Sequence, residues 1–205
     1  MLHIVIATRN RHKFRELRAL LRVRGIRWRS LQEFPRVREV KETGRTFDAN
    51  ARRKALAVAK ATGCLALADD SGLEVDALGG APGVRSARFA GGHGGDQTNN
   101  RKLLRLLGPR PFAQRCARYR CVLALASPQG IIRVVQGAWE GRIAFRPAGA
   151  QGFGYDPVFL VPRLGKTVGQ LPPRIKQRLS HRAAAARKFR PLLRQLVHRK
   201  SKLAF

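Results

Sequence analysis

Apolar positions along the chain alternate between two periods, and the switches between them mark the elements. LHIVIA, at residues 2–7, is a short β-branched run that predicts a buried strand. The polar break TRN follows. In HKFRELRALLRVRG, Phe14, Leu17, Leu20 and Leu21 fall at helical spacing, with Gly25 as the expected stop. A second, weaker strand is expected near IRWRSL. ETGRTFDANARRKALAVAKATG predicts a turn at Thr43–Gly44, a cap at Thr46 and an alanine-rich helix closed by Gly63. CLALADD reads as the next strand, with Asp69 and Asp70 at its carboxyl end beside a Ser-Gly turn. GGAPGV is a turn cluster. GGHGGDQTNN reads as a mobile loop leading into a short helix, NRKLLRLLG. ARYRCVLALAS and GIIRVVQGAWEGRIA predict strands joined by a turn at SPQG, and DPVFLV predicts another. The last segment, LSHRAAAARKFRPLLRQLV, is helical in pattern, with Pro191 expected to kink or interrupt it. The succession is that of a mixed α/β protein.

Composition narrows this picture. A chain of 205 residues suits a single domain, here with two lobes, and 44% hydrophobic residues supply a core and exclude global disorder. No apolar run approaches the roughly 20 residues of a bilayer span, so no membrane role is expected. MLHIVIATRN lacks the features of a secretory signal. Cys64, Cys116 and Cys121 are odd in number and have no metal-type spacing, so they read as core residues of a cytoplasmic protein. Charge changes the picture most: 42 Lys+Arg against 12 Asp+Glu, a formal +30. The basic residues are spread over the whole chain. That distribution fits a solvated surface with nonspecific, salt-sensitive adhesion to RNA better than a dedicated nucleic-acid site.

Four stretches could carry chemistry. In ATRNRHK, a strand, a turn and a helix N-terminus form an anion site, where Thr8 and Asn10 either bind phosphate oxygens or simply cap the helix. Lys13 adds a positive charge in the first turn. The glycines of a P-loop are absent. Asp69 and Asp70, with Glu42 from another loop, can supply oxygens to Mg²⁺, which binds one or two carboxylates together with substrate phosphates. The alternative is a turn in which both aspartates accept backbone amides. In GFGYDP, Phe153 or Tyr155 can stack on a base, or both can pack in a turn. KQRLSHR places Lys176, His181 and Arg182 at the start of the last helix, as ligand contacts or as a solvated basic segment.

Together, IATRNRHKFREL, ETGRTFDANARRKA, ALADDSGLEVDALGGAPGVRSARFAG, GFGYDPVF and SHRA resemble the inosine/xanthosine triphosphate pyrophosphatase family, in the family's order and over most of the chain. The resemblance implies an α/β fold with a mixed central sheet flanked by helices, elongated and two-lobed, with the active-site cleft between the lobes. It also implies a homodimer and Mg²⁺-dependent hydrolysis of noncanonical purine nucleoside triphosphates to the monophosphate and pyrophosphate. On this likeness Thr8, Arg9, Asn10, Arg11, His12, Lys13 and Lys54 face the triphosphate, with Ser71 beside it. Asp70 is the implied catalytic proton acceptor and a metal ligand, and Glu42 is the second metal contact. Phe153, Gly154, Tyr155, Asp156, Lys176, His181 and Arg182 are the implied nucleoside contacts.

The chain departs from the family pattern in several places. Lys41 stands where many relatives carry an acid, Arg9 and His12 replace glycines, and Pro191 interrupts the last helix. Two rivals remain: a related pyrophosphatase acting on other modified triphosphates, and a basic RNA- or DNA-binding module on the same fold.

Overall fold

The computed structural model describes residues 1–91 and 95–202. The glycine-rich stretch expected as a mobile loop falls partly at 92–94, outside the described residues, and from Gly95 onward it is helix and not loop. The fold is mixed α/β, built on a seven-stranded sheet. Its strands are β1 (Leu2–Ile6), β2 (Ile26–Ser30), β3 (Leu65–Val75), β4 (Cys116–Ser127), β5 (Gly130–Ile143), β6 (Phe159–Val161) and β7 (Lys166–Thr167). They are ordered β2-β1-β3-β4-β5-β6-β7. The helices are α1 (Arg11–Leu20), α2 (Phe47–Thr62), α3 (Gly95–Leu107), α4 (Pro173–Leu179) and α5 (His181–Lys202).

The chain divides into two compact units. The first comprises Met1–Asp70, Cys121–Gly137 and Arg182–Phe205. Here β1 pairs in parallel with β2, Ile4 opposite Trp28, and with β3, Ile4 opposite Leu65. Parallel neighbours need crossovers, which α1 and α2 supply. Ile4, Ile6, Leu17, Leu67, Leu123, Phe189 and Leu193 share its core. The predicted cap is present: Thr46 accepts from the Ala49 amide, and Gly63 closes α2 in the left-handed conformation. The second unit comprises Ser71–Arg120 and Ala138–His181, with Leu73, Leu103, Tyr119, Trp139 and Phe159 in its core. Arg115 is fully buried there. Its guanidinium donates to the Ile143, Gly108 and Ala144 carbonyls at 2.7, 3.0 and 2.9 Å.

Three sequence expectations need correction. β3 does not end at Asp69–Asp70; it runs on to Val75, because Leu73 and Val75 are wholly buried and continue the strand through Ser71 and Gly72. α1 stops at Leu20 rather than near Gly25. α5 passes through Pro191 without interruption. Phe189 and Leu193, both fully buried, anchor the helix on either side, and that packing outweighs the roughly 3 kcal/mol that an interior proline costs. Among the described residues no helix is long and apolar enough to cross a membrane.

Candidate active site

The first unit gathers most of the predicted phosphate and metal residues. At the start of α1, Asn10 Oδ1 accepts from the His12 and Lys13 amides at 2.9 and 3.0 Å, and Thr8 Oγ1 accepts from the Asn10 amide at 3.1 Å. Asn10 caps α1 and Thr8 braces the cap residue, which leaves the helix dipole aimed at the turn. Arg9 is tied elsewhere, donating from Nη2 to the Val37 carbonyl at 2.7 Å. Arg11 and His12 are exposed.

The paired aspartates separate into two environments, because adjacent strand residues project to opposite faces. Asp69 is held from three sides. Arg182 Nε lies 3.1 Å and Lys13 Nζ 3.4 Å from its Oδ2, and the Cys121 thiol donates to its Oδ1 at 3.3 Å. Burial and the Asp69 carboxylate push the Cys121 thiol well above its ordinary range, so it stays protonated and donates. Arg182 also pairs with Glu16 at 3.0 Å. Burial opposes its charge, but Asp69 and Glu16 outweigh it and hold the guanidinium above its ordinary range. Arg182, expected to contact the nucleoside, is thus buried and engaged by two carboxylates of its own unit.

Asp70 is different. It is 4% exposed, and among the described residues its buried Oδ2 has no hydrogen-bond partner. Burial, reinforced by the nearby Glu42 carboxylate, pushes its pKa up to about 6, against the pull of Lys13, Lys54 and a hydrogen bond from Asn50. Glu42 is ion-paired to Lys54. A buried, unpartnered carboxylate oxygen near a second carboxylate fits a hard cation such as Mg²⁺. Among the described residues no group of three or more His, Cys, Asp or Glu is placed to hold a metal, so substrate oxygens would have to complete such a shell.

Asn50 was missed from sequence. It is 1% exposed, accepts from the Gly44 amide at 2.7 Å and donates back to the Gly44 carbonyl. It therefore ties the turn that follows Glu42 to α2, the helix bearing Lys54. The signal was present: Asn50 and Lys54 are four apart and share a helix face.

The second unit orders the GFGYDP segment around a buried carboxylate. Asp156 accepts from the Phe153 amide at 2.9 Å, Lys176 Nζ at 2.6 Å and the Tyr119 hydroxyl at 3.1 Å. Lys176 Nζ also lies 4.3 Å from the Phe153 ring centroid. Gly152 is required: its φ is +82°, and a Cβ there would fall 1.9 Å from Asp156 Oδ2. Gly154 is clamped by Asp96, which accepts its amide at 2.6 Å, and by Asn100, which donates to its carbonyl at 3.1 Å. Sequence reading overlooked both clamps. Of the two aromatics, Tyr155 is core, its hydroxyl donating to the Ser86 carbonyl at 2.8 Å, while Phe153 is half-buried. His181 stacks on Tyr119 with centroids 4.8 Å apart. Ser71, next to Asp70 on β3, is half-buried.

A capped strand-turn-helix with lysines over a buried carboxylate pair defines the class: a protein equipped for phosphate esters. The Ham1 family profile matches residues 4–192, and the chain belongs to that family of enzymes. It is 51% identical over 193 residues to a dITP/XTP pyrophosphatase of Desulforamulus reducens, covering 94% of this chain and 96% of that one. It is 46% identical to a dITP/XTP pyrophosphatase of Bacillus subtilis, covering 94% and 98%. Among solved structures, a HAM1 protein from Coxiella burnetii superposes with a TM-score of 0.88 at 41% identity, covering 95% of this chain and all of that one. The Staphylococcus aureus Ham1 protein gives 0.85 at 39% identity, covering 94% and 98%.

Proposed function

We propose that the enzyme hydrolyses noncanonical purine nucleoside triphosphates, those of inosine, deoxyinosine and xanthosine, to the monophosphate and pyrophosphate, with Mg²⁺ held by Asp70 and Glu42. The observation that carries this reading is Asp70, a buried carboxylate with an unpartnered oxygen and a pKa near 6. Without a bound cation, burial and the nearby Glu42 make it more basic than an ordinary aspartate. Bound Mg²⁺ would supply charge neutralisation on the phosphates.

The Asp70 carboxylate accepts a proton from a water molecule whose oxygen bonds to the α-phosphorus. The bond from that phosphorus to the bridging oxygen breaks, and pyrophosphate leaves. Lys13 and Lys54 offset the charge that builds on the leaving group. Asp69 takes no proton in this scheme; it anchors Lys13 and Arg182. For the base, this reading offers the half-buried Phe153 ring as a stacking surface. The homodimer belongs to the same reading, and a monomeric mass by light scattering would remove it.

Turnover of inosine triphosphate in ¹⁸O-water tests the chemistry. Label should appear in the monophosphate and not in pyrophosphate. Label in pyrophosphate, or release of orthophosphate with a diphosphate, would place attack at another phosphorus and overturn the scheme.

A further inference from the structure

A concavity of about 370 Å³ in the first unit is lined by Arg22, Val23, Arg24, Arg194, Val197 and His198. Its construction is specific. The turn after α1 brings Arg22 and Arg24 to one wall. Arg194, Val197 and His198 sit three and four apart on α5 and so share one face, which forms the other wall. Gly25, at φ +88°, lets the two walls meet, since a Cβ there would fall 2.7 Å from Val197 Cγ1. The place is distinct from the candidate active site. The active site uses the N-terminal end of α1 and this concavity the C-terminal end, roughly 15 Å apart at 1.5 Å per residue.

Cations favour helix C-termini, and that accounts for one basic residue at each helix end. It does not account for three exposed arginines around one concavity in whose lining, among the described residues, no acidic side chain stands. Like charges brought together there repel, and an anion relieves the repulsion. Guanidinium groups are planar forks that match phosphate oxygens two at a time. We infer that this concavity is a second anion site, which takes an oligophosphate group, either a free oligophosphate or the backbone of single-stranded RNA. The inference stands apart from the proposed catalytic reading, because its test reads binding and not turnover.

The experiment compares the full chain with Arg22→Gln/Arg24→Gln/Arg194→Gln. The control is Arg101→Gln/Arg105→Gln/Arg163→Gln, which removes equal charge from exposed positions in the second unit. Tripolyphosphate is titrated calorimetrically in EDTA, with melting curves to verify folding. The concavity variant should lose one molar equivalent of binding that the control keeps. Equal loss in both variants, or loss in neither, would overturn the site. Arg194→Gln alone should weaken the same equivalent about tenfold, which keeps the test decisive if the triple variant melts early. A labelled ten-nucleotide RNA then separates the sources. Each phosphate contact contributes about −0.7 to the log–log salt slope. A slope shallower by about 2 in the concavity variant, relative to the control, assigns the RNA backbone. An unchanged slope, with the tripolyphosphate equivalent lost, assigns a free oligophosphate.

Discussion

Replacing Asp70 with Asn should inactivate the enzyme and stabilise its fold at the same time. The side chain keeps its size and loses its charge. In the folded chain Asp70 titrates at about 6, against 3.8 for an ordinary aspartate, first because burial penalises the carboxylate and next because Glu42 repels it. A carboxylate with a raised folded pKa holds its proton more tightly in the native state than in the unfolded one. Stability is therefore unaffected by Asp70 below about pH 3.8, falls as pH rises from there to about 6, and stays reduced above that. The rise from 3.8 to about 6 corresponds to about 3 kcal/mol. For a chain of this length that is about 6–12 °C in melting temperature. Thermal unfolding in EDTA at pH 7.5 and at pH 4 measures it. Asp70→Asn should melt higher than the parent at pH 7.5 by an amount in that range, and the gap should nearly close at pH 4. Turnover should fall by about 10²–10⁴. A variant that melts at or below the parent at pH 7.5, or a gap that ignores pH, would refute the account of Asp70 as a buried carboxylate with one unpartnered oxygen.

The neighbouring substitution should have the opposite sign. Asp69→Asn removes a partner of the buried Arg182 and should destabilise by about 3–5 kcal/mol, read by urea unfolding at neutral pH; a stable variant would show that Glu16 alone satisfies the guanidinium. Gly152→Ala should cost both stability and activity, since its Cβ meets the Asp156 carboxylate in a backbone conformation that alanine resists; a normal melt would contradict the close approach. Phe153→Ala should raise KM for inosine triphosphate about tenfold with a small change in kcat, in line with about 1–3 kcal/mol for base stacking, and Phe153→Trp should restore it. Tyr155→Phe should leave KM within about twofold and lower the melting temperature, because the lost hydroxyl serves the Ser86 carbonyl.

Local chemistry decided a good deal of this protein. The strand-turn-helix opening, the Thr46 and Gly63 caps of α2 and the run of β4 and β5 follow from periodicity and from short-range hydrogen bonding, which act over a few residues and are written in the chain. Asp70, Glu42 and Lys54 were identifiable as candidates because scarce carboxylates beside basic residues stand out, and because their motifs resemble a known family. What the sequence could not express was which of two adjacent aspartates would be satisfied. On a strand the two differ only in face. The difference becomes physical once α5 brings Arg182, and β4 brings Cys121, against Asp69, leaving Asp70 Oδ2 buried with no partner among the described residues. The same holds for the passage of β3 through Asp69–Asp70 and of α5 through Pro191. In both cases distant apolar side chains, Leu73 and Val75 or Phe189 and Leu193, outweigh the local turn and helix-breaking signals. Burial and charge pairing are sums over residues far apart in the chain, so only the tertiary structure sets their sign.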